Sequence, residues 1–309
     1  MPLAPGLTVV VPVFRSAATL PELIRRITAS LGGMPHEIML VDDGSSDATW
    51  STVRGLSSAR VRGLRLGRNA GQHAALVAGV RAARYDRIVT IDDDLQNPPE
   101  EISRLLASLD AGDVDVVYGV ATQPAQDRWR RAASRWSRRV IADGLDAPSA
   151  SSLSAFRAFR TSLREAFDQP LGPNVSLDAL LSWGTDRFGE VAVAHHARRE
   201  GTSNYTLRKL VRFMIDTATG YSIVPLRLAS TVGLATLAFG LGLLAWVVGR
   251  PLLTGESVPG FPLLASSLTI FSGAQLVLLG VLGEYIGRMH FRVMHKPTYV
   301  VAETTDASA

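Results

Sequence analysis

Two runs of this chain, residues 228–248 and 261–283, contain no charged side chain. Each reaches the roughly 20 residues a helix needs to cross a bilayer, and both are rich in Gly, Leu and Val, which predicts a pair of membrane spans rather than two buried core helices. The sequence between them, RPLLTGESVPG, has one Arg and one Glu, whereas Arg208, Lys209, Arg212 and Arg227 precede the first run and Arg288, Arg292 and Lys296 follow the second. Basic residues stay on the cytoplasmic side, so the expectation is a two-span cell-membrane protein with both termini in the cytoplasm. The N-terminal stretch MPLAPGLTVVVPVF has no basic leader, and its apolar run is short and strand-like, unlike a signal peptide.

Outside the two runs the chain reads as a soluble α/β protein. Cysteine is absent, which excludes disulfides, thiolate nucleophiles and Cys-based zinc sites. The net charge of +4 is too modest to predict nucleic-acid binding and suits attraction to a membrane surface. Short β-branched runs at Thr8–Phe14, Glu37–Val41, Val61–Leu66, Arg87–Ile91 and Val114–Tyr118 predict strands, and the helices between them are expected to begin near Thr19, Asp47, Gly71 and Pro99. That alternation predicts a mostly parallel sheet covered on both faces. The polar end AETTDASA is expected to fray.

Two later segments have amphipathic patterns. In RWRRAASRWSRRVIADGL, with a helix expected over about residues 128–142, Trp129, Ala133, Trp136 and Val140 share one helical face, and Arg128, Arg130, Arg131, Arg135, Arg138 and Arg139 fill the other. This predicts an interfacial helix, with a solvated Arg-rich helix as the alternative. Residues 206–227 place Leu207, Leu210, Val211 and Met214 on one stripe and are expected to lie along the membrane surface.

The chemistry is concentrated in two acidic turns, VDDGSSD and IDDDLQ, each at the predicted carboxyl end of a strand, where open α/β sheets bind ligands. Three adjacent carboxylates repel one another. Asp92 and Asp94 with Gln96 are hard oxygen ligands suited to Mg²⁺ or Mn²⁺, and such a cation can grip a diphosphate. An isolated Asp triplet can merely cap a turn; a second acidic turn nearby favours the metal reading. The sequences expected of phosphate-loop nucleotidases, dinucleotide enzymes, zincins and serine hydrolases are absent. His195 and His196 are adjacent and would face opposite ways in a strand, which argues against a metal pair. GRNAGQHAALVAG is expected to form a helix packed close against the sheet, with Asn69 and Gly71 on the ligand side.

Taken in order, VVVPVFRSAATL, VDDGSSDAT, GRNAGQHAALVAG, DDDLQNPPEE, REGTSNYTLRKL, PLR and LGEYIGRMHFRVMHKPTYVV resemble family 2 glycosyltransferases of the polyprenyl-phosphate type over nearly the whole chain. The resemblance implies a GT-A domain over residues 1–205, the two spans within 228–287 and a cytosolic tail over 288–309. It implies inverting transfer of a sugar from a UDP- or GDP-linked nucleotide sugar to a polyprenyl phosphate, with membrane lipid as a further partner; a homo-oligomer is compatible with it. By the family's pattern, Pro12, Phe14, Val41 and Asp43 would hold the nucleoside. Asp92, Asp94 and Gln96 would hold the metal and diphosphate, and Asp93 would help through its backbone. Asp92, Asp94 and Arg198 would be catalytic. Arg128, Arg131 and Arg135, with Arg198, Ser203 and Tyr205 of the RxxGxSxY turn, would hold the lipid phosphate.

Three positions depart from the family's pattern. Asn204 stands where Lys is frequent, Ala121 near an expected Arg, and SSLSAFR where an Asp-x-Gly precedes the FRAFR stretch. Arg128, Arg199 or Lys209 are the candidates to supply the missing charge. Two rival readings follow: a non-catalytic membrane scaffold on a transferase frame, and a processive polysaccharide synthase, against which the two spans and the absent QxxRW weigh.

Overall fold

The computed structural model describes residues 3–121, 154–167, 175–194, 224–254, 260–294 and 296–305. They fall into two compact units, Met1–Val211 with Met294–Ala309, and Arg212–Val293.

The first unit is built on an eight-stranded sheet. In chain order it contains β1 (Ala4–Val13), α1 (Leu20–Leu31), β2 (His36–Asp42), α2 (Thr49–Leu56), β3 (Val61–Leu66), α3 (Gln72–Arg81), β4 (Tyr85–Thr90), α4 (Ile102–Asp110) and β5 (Val116–Ala121). After these come β6 (Arg157–Arg160), α5 (Leu177–Gly184), β7 (Phe188–Val193) and, past the second unit, β8 (Val301–Thr304). The strand order is β7-β5-β6-β4-β1-β2-β3-β8. The pairs β1–β2, β1–β4, β2–β3 and β5–β7 are parallel, while β6 runs antiparallel to β4 and β5, and β8 antiparallel to β3.

Strand β1 is buried from Gly6 onward, as a central parallel strand covered on both faces must be. Its alternate side chains serve two cores. Val9, Val11 and Val13 pack with Leu23 and Ile27 of α1 and Leu105 of α4, while Val10 packs with Ala75, Leu76 and Val80 of α3 on the opposite face. In α1, Leu20, Leu23, Ile27 and Leu31 form a single buried stripe at helical spacing. In α3 the small residues let the helix approach the sheet: a Cβ on Gly79 would stand 2.4 Å from Val10 Cγ1. The predicted helix from GRNAGQHAALVAG and the predicted parallel sheet are both present.

The C-terminus corrects the sequence reading. Residues 301–304 are not frayed but form the edge strand β8, and the helix before them continues to Val293, past the expected boundary at 288. The first expected strand starts earlier and the fifth ends later than the sequence pattern suggests.

The second unit holds two long helices, α6 (Val224–Thr254) and α7 (Gly260–Val293), which pack against each other. Gly240 makes room for a ring, since a Cβ there would lie 2.4 Å from Phe271 Cζ. In α7, Ile270–Gly287 is long and apolar enough to cross a membrane; in α6 the apolar segment Ala229–Gly242 is shorter. One such span is therefore found among the described residues where the sequence pattern predicts two. Leu234, Phe239, Leu264, Leu268, Leu276 and Ile286 are all exposed on these helices, an arrangement that water penalises and lipid does not. The predicted interfacial helix at 128–142 and most of the juxtamembrane segment 206–227 lie outside the described residues.

Candidate active site

The carboxyl ends of β1, β2 and β4 and the loop entering α3 enclose one crevice. Pro12, Val13 and Phe14 come from the end of β1, Asp43 from the end of β2, and Asp92, Asp93 and Asp94 from the turn after β4; Asn69, Gly71 and Gln72 close the fourth side. The two acidic turns, fifty positions apart in sequence, thus face the same space. Of the residues expected to bind nucleotide or metal, Pro12, Phe14, Asp43, Asp92, Asp93 and Asp94 line it.

Two expected residues do not. Val41 is completely buried, and its side chain lies in the core beneath α3, because strand alternation turns it into the sheet's helix-covered face. Gln96 is not part of the lining; its backbone N–H donates to Asp94 Oδ1 at 3.1 Å, so Asp94 also closes the turn that carries it. Arg128, Arg131, Arg135, Arg198, Ser203 and Tyr205, like His195 and His196, lie outside the described residues.

The three adjacent carboxylates have different partners. Asp92 Oδ1 accepts from Gln72 Nε2 at 2.8 Å. Asp93 Oδ2 accepts from the Phe14 backbone N–H at 3.3 Å and from the Ser16 hydroxyl, so its side chain, and not only its backbone, fastens the loop after β1. Burial, reinforced by the charge of Asp94, raises the Asp93 pKa against the lowering effect of those two hydrogen bonds. Asp43 clamps the loop before α3, its two oxygens accepting from Ala70 N at 2.7 Å and Gly71 N at 2.9 Å. Its pKa is likewise raised, chiefly by burial. Gly44 follows with φ +66, and a Cβ there would meet the Arg68 backbone carbon at 2.6 Å, so only glycine fits this turn.

Behind the acidic turn lies a polar cluster that sequence reasoning missed. Thr90, last in β4, donates to Ala155 O at 2.6 Å and accepts from Arg157 Nε at 3.2 Å. Arg157 is 2% exposed and forms an ion pair with Asp178, whose Oδ1 also accepts from Tyr118 OH at 2.9 Å. Burial works against the guanidinium charge, but Asp178, Tyr118 and the more distant Asp92 outweigh it and raise the Arg157 pKa. His73 Nδ1 accepts from Leu177 N at 3.2 Å, which ties α3 to α5 beside the same pair. Gln72 was within reach of the sequence reading, being the first helical residue after a loop placed on the ligand side. Arg157 carried no such signal.

Among the described residues no three Asp, Glu or His side chains form a metal cage. The donors suit a different arrangement. Two carboxylates, Asp92 and Asp94, face an open crevice, and a hard divalent cation is commonly held by one or two carboxylates with substrate phosphates completing the shell. The residues present therefore fit Mg²⁺ or Mn²⁺ bound together with a diphosphate.

A family model described as glycosyl transferase family 2 matches residues 8–169, more than half of the chain. The undecaprenyl-phosphate 4-deoxy-4-formamido-L-arabinose transferase of Enterobacter sp. (strain 638) is 39% identical over 303 residues, covering 95% of this chain and 92% of that protein. The protein of the same description from Edwardsiella ictaluri is 37% identical over 309 residues, covering 97% and 94%. Among solved structures, glucosyl-3-phosphoglycerate synthase from Mycobacterium tuberculosis, in complex with Mn²⁺, UDP and glucosyl-3-phosphoglycerate, is similar with a TM-score of 0.53 at 21% identity, covering 70% of this chain and 78% of that one. The likeness shows a GT-A-like α/β fold with a mostly parallel sheet.

Proposed function

The chain belongs to glycosyl transferase family 2, and we propose that it transfers a sugar, with inversion, from a UDP- or GDP-linked donor to a polyprenyl phosphate at the cytoplasmic face of the membrane. The observation that carries this reading is the convergence of Asp43, Phe14 and the Asp92–Asp94 turn on one crevice, in a chain that also has an apolar helix of membrane-spanning length. The relatives' printed substrates supply the chemical class: undecaprenyl phosphate as acceptor, and 4-deoxy-4-formamido-L-arabinose as the first sugar to try.

In this reading Pro12, Phe14 and Asp43 hold the nucleoside, and Asp92 and Asp94 face the diphosphate. Mg²⁺ or Mn²⁺ held by those two carboxylates would neutralise the charge that develops on the leaving diphosphate. Gln72 keeps the Asp92 carboxylate oriented toward the crevice, and Asp93 fixes the β1 loop that forms its wall. A lipid monophosphate, with a second pKa of about 6, is already largely a dianion at neutral pH and needs little general-base help to attack the sugar carbon. Arg198, Ser203, Tyr205 and the arginines at 128, 131 and 135 are the groups proposed to orient it. A second span, formed by α6, would place both termini in the cytoplasm beside the soluble donor.

The test is transfer by the purified full chain in lipid nanodiscs, with undecaprenyl phosphate, a panel of UDP- and GDP-sugars, and either metal. Formation of a glycosyl lipid phosphate that stops on chelation is expected. Nucleotide binding with no transfer to any lipid phosphate would instead favour the scaffold reading.

A further inference from the structure

The family model ends at residue 169, but the sheet that carries the crevice is completed by residues far beyond it. Strand β8 follows the helical unit in sequence and pairs antiparallel with β3, Arg65 opposite Glu303 and Leu64 opposite Thr304. It is fastened at both ends: Gly67 N donates to Val300 O at 2.9 Å, Thr305 N donates to Gly63 O at 2.9 Å, and Gly63 N donates to Thr305 Oγ1 at 2.7 Å.

From this strand a chain of polar contacts leads to the crevice wall. Glu303 accepts from Trp50 Nε1 at 2.9 Å with one oxygen and from Arg65 NH1 at 2.8 Å with the other. Arg65 in turn donates to the Ser45 carbonyl at 3.4 Å and stands 3.6 Å from Asp42 Oδ2. That oxygen is buried and has no hydrogen-bond partner, so the guanidinium is its compensating charge. Asp42 Oδ1 accepts from Ser45 N at 3.1 Å, and Ser45 Oγ accepts from the Arg15 backbone N–H at 3.0 Å. Arg15 is held at φ 56, an uncommon conformation for a non-glycine residue, directly after the crevice-lining Phe14.

We propose that the C-terminal strand is part of the donor site, with Glu303 acting through Arg65 as a positioning residue for the wall that receives a nucleoside diphosphate. This rests on the reading of the crevice as a nucleotide site. An exposed ion pair adds little stability by itself. Its effect here is geometric: it keeps Arg65, a third exposed, turned toward Asp42 and Ser45, and so holds the wall ordered before the donor arrives.

The experiment measures binding of UDP and of GDP with Mg²⁺ by calorimetry, and donor KM and kcat, on the full chain, on Glu303→Gln and on a chain ending at Lys296. Loosening a pre-ordered wall should weaken nucleotide binding about three- to tenfold in Glu303→Gln, raising donor KM and leaving kcat at saturation little changed. The truncated chain should bind more weakly still, and a synthetic peptide of residues 297–306 should restore it by re-adding the strand. A merely structural role would lower melting temperature and active fraction without moving KM or Kd. If the full chain binds a nucleotide and both variants bind it equally well, this proposal falls and the crevice reading stands. If the full chain binds neither nucleotide, both fall. Should the truncated chain fail to fold, Glu303→Gln decides.

Discussion

Asp92, Asp93 and Asp94 are neighbours in the chain with separate tasks, and the separation is set by partners distant in sequence. Replacing Asp94 with Ala is expected to abolish transfer while leaving the melting temperature close to that of the parent; retained turnover would remove it from the mechanism. Arg157 has the opposite profile. Truncating one partner of a buried ion pair leaves the other charge uncompensated, so Arg157→Ala should cost about 3–5 kcal/mol, and the paired replacement Arg157→Met with Asp178→Leu should recover most of that loss. Denaturation of the single and double variants checks it; additive losses would refute the coupling. His73 adds a pH dependence. Burial lowers its pKa, against the raising charge of Asp178 and with a smaller lowering contribution from Arg157, so the folded protein holds a neutral ring while the unfolded chain takes up a proton below about pH 6.5. Its contribution to stability is whole above that value and is lost as pH falls. His73→Asn, which keeps an acceptor for Leu177 N, should reduce the drop in melting temperature between pH 7 and 5, and an unchanged drop would show that this ring is not responsible. At this scale the acidic turns were legible because two of them fall at predicted strand ends, a coincidence that turn-capping alone does not explain. The inward turn of the Val41 side chain was not legible because a motif position carries no side-chain direction, and Arg157 with Asp178 went unseen because the two are joined only by folding.

At the scale of elements, the parallel strands β1 to β4 and helices α1 to α3 were readable from apolar periodicity, which is a local property. Strand β6 was not anticipated. Its four residues, RAFR, set two apolar groups between two arginines and read as surface, yet the strand inserts antiparallel between β4 and β5, where Arg157 finds its buried partner. The turn after β2 has a backbone that restricts substitution. Gly44→Ala would force a side chain into a left-handed conformation against the Arg68 backbone, at a cost of about 1–3 kcal/mol. Because the same turn carries Asp43 into the crevice, donor KM should rise along with the loss of stability; a stable variant with unchanged KM would separate the turn from the site.

For the whole molecule, the proposed two-span topology can be tested cleanly because the chain has no cysteine of its own. In intact cells an impermeant maleimide should label Ser257→Cys between the two helices, and should reach Ser308→Cys only after lysis. Labelling of Ser308→Cys from outside would overturn the arrangement. By itself the sequence determined the alternation of strands and helices, the two uncharged runs and the pair of acidic turns, since each follows from the spacing of residue types along a short stretch. Tertiary structure alone decided that residues 301–304 close the sheet beside β3, that Asp93 binds the β1 loop, and that Arg157 is neutralised by Asp178. An edge strand's hydrogen bonds and a buried charge must be satisfied by whatever folding brings near, and nothing in the local pattern says which distant residue that will be.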